Sequence, residues 1–316
     1  MIQIKAKSIK EKPLPLVSQE VVEQTTGLNR DVLRKWELRY HFPVPTRGAR
    51  GQRLYSQDDV FRLQLIKQLM NRDMRPGKVV PLPLADLQAL LADARAVVSR
   101  DTGESVDLIL RCLTPGAPVH AVRTYLERLI KVEGLAHFVE QYLPMFNLAV
   151  GNAWEAGKLG VHAEHHYTAT VFHVVGRAMP IVAPLNDLPR VLVTTPPGEI
   201  HGLGVLALQA ELTLQGAYCV SLGTQTPPQD VVSAVDDLGI AVVAISASEC
   251  LPPDLMRSYM VTLRKTLPES CRLWAGGKGC EPLALQLPAG IELFQTVGQA
   301  ALALRTSAAP HINNRH

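Results

Sequence analysis

A chain of 316 residues is too long for one ordinary core and points to two or three domains. Its 47% hydrophobic and 19% charged residues exclude a disordered chain, and five scattered cysteines, Cys112, Cys219, Cys250, Cys271 and Cys280, never spaced C-x-x-C, suggest neither a disulfide framework nor a thiolate zinc site. The net charge of +3 hides a gradient: residues 1–80 hold 16 Lys/Arg against 8 Asp/Glu, so the remainder is acidic by 5, and contact with a polyanion is expected at the N-terminal end.

Near Met1 no basic start, apolar run and small-residue cleavage site follow one another, and no apolar run reaches the length of a membrane span. A cytoplasmic protein with no membrane partner is expected. The Lys-rich segment Met1 to Lys12 leads through Pro13 and Pro15 into a helical pattern that Pro81 and Pro83 close, so a first domain is expected over 14–82. Within it Ser18 caps one helix, Gly27 makes a tight turn, and Asn29 caps a second helix carrying Arg30, Arg34 and Lys35. A helix so charged suits the major groove, with Arg34 and Arg39 in reach of base edges or phosphates. Gly51 sits in a basic hairpin, Arg47 to Tyr55, that can grip the backbone as a wing. Each cation alone reads equally as a solvated surface charge, and Trp36 reads as core rather than as a base-stacking ring.

Gly27, Leu33-Arg34-Lys35-Trp36-Glu37, Arg39-Tyr40, Pro45, Arg47, Gly51-Gln52-Arg53-Leu54-Tyr55 and Asp58-Asp59-Val60 together resemble the signature of the MerR family, an α-helical winged helix-turn-helix. The resemblance covers roughly the first 75 residues. It implies binding to double-stranded promoter DNA as a dimer. It assigns DNA contact to Arg34, Arg39, Tyr40, Arg47, Arg53 and Tyr55, beside Asn29 and Arg30 at the start of the recognition helix.

From about Ala85 to Ala183 apolar residues recur three and four apart, at Leu84, Leu87, Leu90 and Leu91 and again from Tyr125 to Val150, so a four-helix bundle is expected over 84–186. Gly157 and Gly160 mark one helix ending and the next beginning, which places Trp154 and Glu164-His165 on either side of a junction. After Pro189 the short runs Val191–Thr195, Tyr218–Leu222 and Ile240–Ser246 alternate with helix-length segments. That alternation predicts an α/β domain with a doubly wound parallel sheet over 187–306.

The first of those strands runs into Pro196-Pro197-Gly198-Glu199-Ile200-His201-Gly202-Leu203-Gly204, a loop at the strand's carboxyl end, where open α/β sheets bind ligands. His201 with Gly204 three residues on is a weak signal, since such a histidine is more often a helix cap. The wider spacing is stronger. Ser246-Ala247-Ser248 follow Gly204 after 41 residues, and Gly276-Gly277 follow Ser248 after 27, each at the end of a predicted strand. This resembles the flavodoxin-like cobalamin-binding fold of methionine synthase and the mutases, with its D-x-H-x-x-G, S-x-[LT] and G-G pattern. The resemblance implies that His201 coordinates cobalt from below and that the cofactor's nucleotide tail enters a slot beside Ser246, Ser248, Gly276 and Gly277. Small residues suit such a slot, because a bulky side chain would occupy the tail's path. Glu199 stands where that family has aspartate, which leaves open whether its longer arm meets His201 in the same way.

Trp154, Glu164 and His165 are similar to the W-x9-E-H motif of CarH/LitR-type photoreceptors, which join a MerR-type domain, a four-helix bundle and a cobalamin domain in this order. The resemblance implies a transcription regulator, not an enzyme, and repression fits it best. Trp154 and Glu164 would pack over the adenosyl group of adenosylcobalamin and hold a homo-oligomer, a dimer or tetramer, on DNA until light breaks the cobalt–carbon bond. Glu155 stands where a member of that family has the histidine that captures cobalt's upper face after photolysis. That route is closed here, which leaves His162, His165, His166 or water, or a weakened response to light. Other readings remain. The cluster His162, Glu164, His165, His166 and His173 can serve a metal-sensing MerR-type regulator, a degenerate cobalamin domain can answer to a protein partner, and a cobalamin sensor need not respond to light. A catalytic cobalamin module, as in methyltransferases, is argued against by the DNA-binding end.

Overall fold

A computed structural model of the chain describes residues 16–48, 51–71, 74–98, 102–182, 189–283 and 287–307. The Lys-rich start with Pro13 and Pro15, Arg50 in the basic hairpin, and the expected boundary near residue 187 lie outside the described residues.

At the N-terminal end, α1 (Gln19–Thr26) starts where Ser18 Oγ accepts the Val21 N–H and stops at Gly27, whose φ of 66° few other residues adopt. Asn29 Oδ1 accepts the Val32 N–H at 2.9 Å and starts α2 (Arg30–Tyr40). Strands β1 (Val17–Ser18), β2 (Thr46–Arg47) and β3 (Arg53–Tyr55) form an antiparallel sheet in the order β1-β3-β2, which ties the hairpin to the start of α1. With α3 (Gln57–Asn71) and α4 (Pro76–Val79), these elements bury Leu33, Trp36, Leu63 and Ile66. The next helix, α5 (Leu84–Val98), adds Leu87 and Leu91 to the same core. Its apolar stripe, expected at the head of the bundle, packs against α3 because only residues 80–83 separate it from α4 and the chain cannot travel further.

The bundle is built from α6 (Thr102–Cys112), α7 (Ala121–Glu133), a long helix comprising α8 (Leu135–His137), a π-helical turn Phe138–Tyr142 and α9 (Leu143–Glu155), and α10 (Val161–Ala178). Pro144 accounts for the π turn: without an N–H, and with its ring against the preceding turn, it cannot continue an undistorted α-helix. The rings of Phe138, Tyr142 and Phe146 meet in the core, with Phe146 centred 6.4 Å from Phe138 and 5.9 Å from Tyr142.

The last unit is a parallel sheet of β4 (Arg190–Thr194), β5 (Tyr218–Ser221), β6 (Val242–Ser246), β7 (Arg272–Gly276) and β8 (Ile291–Phe294), ordered β5-β4-β6-β7-β8. This is the flavodoxin-like order. Side chains alternate across it: Val191, Val193 and Trp274 face α11 (Leu203–Leu214) and α14 (Val297–Ser307), while Leu192, Val243 and Leu273 face α12 (Pro228–Leu238) and α13 (Pro253–Thr266). The chain leaves β4 toward β5 and returns past it to β6, so the carboxyl ends of β4 and β6 flank the switch point of the sheet. The bundle lies on α11, whose Leu206, Ala207 and Ala210 belong to the bundle's core. Helix α3 also reaches this unit, where Gln64 Nε2 donates to Leu214 O at 3.2 Å. Among the described residues no helix is long and apolar enough to cross a membrane.

Candidate functional site

The loop after β4 is pinned at its base by Thr195, whose Oγ1 donates to Glu199 O at 2.7 Å and accepts the Gln225 N–H at 2.8 Å. Glu199 is 1% exposed and bonded on both oxygens. Its Oε1 accepts the His201 N–H at 2.9 Å and Nδ1 at 2.6 Å. Its Oε2 accepts the Ser248 N–H at 2.7 Å and Oγ–H at 2.6 Å. Burial by itself pushes this carboxyl up, but the bonds from Ser248 and His201 outweigh burial and hold it below the usual carboxylate range. An ionised carboxylate so close assigns the imidazole proton to Nδ1 and leaves the Nε2 lone pair free. Nε2 has no protein partner among the described residues, and the side chain is 53% exposed. That is the form in which imidazole ligates a metal. The longer arm of Glu199 thus does meet His201, at Nδ1.

A cavity of about 400 Å³ opens at the carboxyl end of the sheet, within the range of small-molecule sites. Gly204, Ser246, Gly276 and Gly277 stand in its wall, and Val139, Glu140, Leu143 and Asn147 of the bundle cover it. Ser248, expected beside this slot, is not in its lining and bonds Glu199 instead. The glycines also answer to neighbouring atoms of the protein itself. Gly277 has φ +92°, and a Cβ there would stand 2.3 Å from Ala247 O. A Cβ on Gly204 would meet Ser246 Oγ at 2.6 Å. Sequence reasoning missed the bundle's cover and Trp274, both of which line the cavity.

At the other end of the bundle, α9 stops at Glu155 and α10 starts after Gly160, as the two glycines predict. Trp154 is 46% exposed, and His165 is exposed with it. Glu164 is turned toward its own helix: Oε2 lies 2.6 Å from His165 Nδ1, and Oε1 accepts the Thr168 hydroxyl at 2.8 Å. His166 Nε2 faces Val119 O at 3.1 Å. Among the described residues no three His, Cys, Asp or Glu side chains gather as a metal-binding group, so the histidine cluster is spread out along α10. Phe172, which sequence reasoning passed over, is half-exposed, and its Cζ would lie 2.8 Å from a Cβ on Gly202, the neighbour of His201.

On α2, Arg30, Arg34 and Arg39 are exposed, while Asn29 is engaged as the helix cap and Trp36 is buried. Arg47 Nη1 donates to Gly51 O at 2.9 Å and closes the hairpin. Arg53 pairs with Glu37 at 3.2 Å, and the Tyr55 hydroxyl donates to the same carboxylate at 3.2 Å. Tyr55 is fully buried, so the DNA contact that the family resemblance implies for it is corrected: it anchors the wing to α2. Burial and the Glu37 carboxylate together raise its pKa. A groove of about 550 Å³ brings Lys35, Arg39 and Tyr40 together with Arg75 and Lys78. The last two, at the start of α4 in Arg75-Pro-Gly-Lys78, escaped notice in the sequence.

Residues 18–81 match the family described as MerR HTH family regulatory protein. The chain is similar to the HTH-type transcriptional repressor CarH of Myxococcus xanthus, with 26% identity over 289 residues, 86% of this chain and 94% of the relative. It is also similar to the HTH-type transcriptional repressor CarA of the same organism, with 24% identity over 241 residues, 76% of this chain and 79% of the relative. Among solved structures it is similar to the monomethylamine corrinoid protein of Methanosarcina barkeri, with 18% identity, a TM-score of 0.42, and coverage of 67% of this chain and 95% of that one.

Proposed function

We propose that this chain, which carries a MerR-type helix-turn-helix at residues 18–81 and is similar over most of its length to CarH-type repressors, is a cobalamin-dependent transcription repressor of the cytoplasm. The observation that carries the cofactor half of this reading is the Glu199 carboxylate, which meets both His201 Nδ1 and Ser248 and leaves Nε2 available. In this reading His201 Nε2 ligates cobalt, and Gly204, Ser246, Gly276 and Gly277 wall the slot for the nucleotide tail. Trp154, Glu164 and His165 stand at the upper face. When bound, adenosylcobalamin supplies a cobalt–carbon bond that light can break.

The chain's own residues do the remaining work. The exposed Trp154 ring offers a plane for a purine base. Glu164 can turn from Thr168 and His165 to accept ribose hydroxyls. Arg30, Arg34, Arg39, Tyr40, Arg47 and Arg53 meet promoter DNA, with binding by a homodimer or tetramer and a steep dependence on salt. The role is regulatory rather than catalytic. A second reading, cobalamin sensing without a light response, is favoured by one observation: Glu155 occupies the position next to Trp154 and offers no imidazole.

The test is an absorption spectrum of the purified chain with adenosylcobalamin in the dark, followed by size-exclusion and promoter-shift measurements before and after green illumination. Equal cobalamin uptake by wild type and His201→Ala overturns the cofactor assignment. Stable uptake with assembly and DNA binding unchanged by light decides for the second reading.

A further inference from the structure

Helix α10, 18 residues long, packs on α11, its Val171, Val174 and Val175 in one core with Leu206, Ala207 and Ala210. Val161, His165, Thr168 and Phe172 follow one another at helical spacing and share a face of that helix. On this face Phe172 touches the His201 loop: a Cβ on Gly202 would stand 2.8 Å from its Cζ and 3.3 Å from Thr224 Cγ2. Toward the helix N-terminus the residues of this face, His165 and Val161, are exposed to solvent. His165 lies about 10 Å further along the axis at the α-helical rise, and its side chain is 74% exposed. Val161 and Trp154 are exposed beyond it, as is His201 on the loop. The space between helix and loop is therefore a wedge, closed at Phe172 and open at His165 and Trp154.

We infer that Phe172 is the spacer at the apex of this wedge, setting how far α10 stands from the His201 loop and so how large a group fits above His201. The inference rests on the cobalamin reading. A phenyl ring is incompressible within a packed contact, so its thickness sets the closest approach of the two elements. Truncating it lets α10 settle toward Gly202 and narrows the wedge. Adding a methyl at Gly202 pushes the ring outward and widens it. Phe172 therefore discriminates between cobalamins by the size of their upper group, a bulky nucleoside against a methyl.

The test is a dark absorption titration of the full chain with adenosylcobalamin and with methylcobalamin, for wild type, Phe172→Ala, Phe172→Leu and Gly202→Ala. Phe172→Ala is expected to lower the adenosyl-to-methyl affinity ratio about fivefold or more, as the narrower wedge excludes the larger group. Phe172→Leu falls between it and wild type, and Gly202→Ala shifts the ratio the other way. The spectral signature of histidine ligation persists in all four proteins, which separates a spacer from a ligand. If Phe172→Ala fails to fold, Phe172→Leu carries the comparison. Wild type that binds both cobalamins, with ratios in the variants within about twofold of its own, overturns the spacer alone. Wild type that binds neither overturns the cobalamin reading and the spacer with it.

Discussion

Two of the buried carboxylates among the described residues stand at opposite ends of α11, and their environments push them in opposite directions. Glu199, just before the helix, receives hydrogen bonds from Ser248 Oγ, Ser248 N, His201 N and His201 Nδ1 and is held below its usual range. Glu211, facing the bundle in the last turn of α11, receives one from Gln215 on Oε1 and none on Oε2. Burial, with some repulsion from Glu140, pushes Glu211 up to about 7. Burial is common to both, so it cannot decide the charge state; the number of donors does. A carboxylate surrounded by donors is built to stay ionised and to orient its partners. One left with a single donor belongs to packing.

The comparison breaks first at Glu199. Glu199→Leu leaves several donors around an apolar side chain and is expected to cost about 3 kcal/mol in urea denaturation at pH 7. On the proposed cofactor reading it is also expected to abolish histidine ligation in the cobalamin spectrum. In the native chain this contribution is complete above the ordinary carboxylate pKa of 4.5 and disappears as pH falls below it through the lowered folded value. Stability unchanged by the substitution would mean that the four contacts carry no weight.

Glu211 gives the opposite sign. The folded chain binds its proton up to about pH 7 whereas the unfolded chain releases it near 4.5, so stability is lost as pH rises across that interval. Glu211→Gln keeps an acceptor for Gln215 and removes the charge. It is expected to gain about 2 kcal/mol at pH 8 and almost nothing at pH 4.5. A loss of stability at pH 8 would reverse the contrast between the two sites.

Much of the proposed cofactor end was legible in the sequence, because Thr195 and Ser246 each close a β-branched run, with His201 in the loop after the first, Gly276 closes a further strand, and strand ends are where open sheets gather their loops. Side-chain reach was not. The extra methylene of Glu199 left its partner undecided until the loop geometry was seen. The glycine at 277 was attributed to space for a ligand, while the nearer cause is the carbonyl of Ala247, a residue thirty positions away in the chain. Strand β8 went unnoticed because Ile291–Phe294 is a short edge segment carrying Glu292, whose charge is explained only by the pairing of that carboxylate with Arg272 at 2.6 Å. At the DNA end the pattern identified the helix and the wing but not which residues the fold consumes: Tyr55 looks like a surface aromatic in the sequence and is core in the structure.

The same distinction between engaged and free groups predicts the behaviour of the cations proposed to meet DNA. Arg34 is exposed, so Arg34→Ala is expected to weaken promoter binding about tenfold, and to lower the salt slope by about 1 if its contact is to a phosphate. Arg53→Ala also removes the anchor between wing and helix at Glu37, so it is expected to weaken binding more than the loss of one charge accounts for. Equal losses and equal salt slopes would show that the anchor is idle.

The smallest effect belongs to the contact between α3 and α14. Asp58 Oδ1 lies 3.7 Å from Arg305 Nη2, with the aspartate side chain 77% exposed. A solvated pair at that distance gains little Coulomb energy and must order two side chains to gain it. Asp58→Ala is therefore expected to change stability by less than about 0.5 kcal/mol. The Arg305 guanidinium also sits 5.0 Å from the centre of the Phe61 ring, where its attraction to the ring and its packed stem survive loss of the aspartate. Arg305→Ala should cost more than Asp58→Ala for that reason, and the difference should persist in high salt, because a contact made by packing is not screened. If both substitutions cost the same and both costs vanish in salt, the seam between these units is electrostatic, and the rule drawn from Glu199 and Glu211, that local partners outweigh bare charge, does not extend to it.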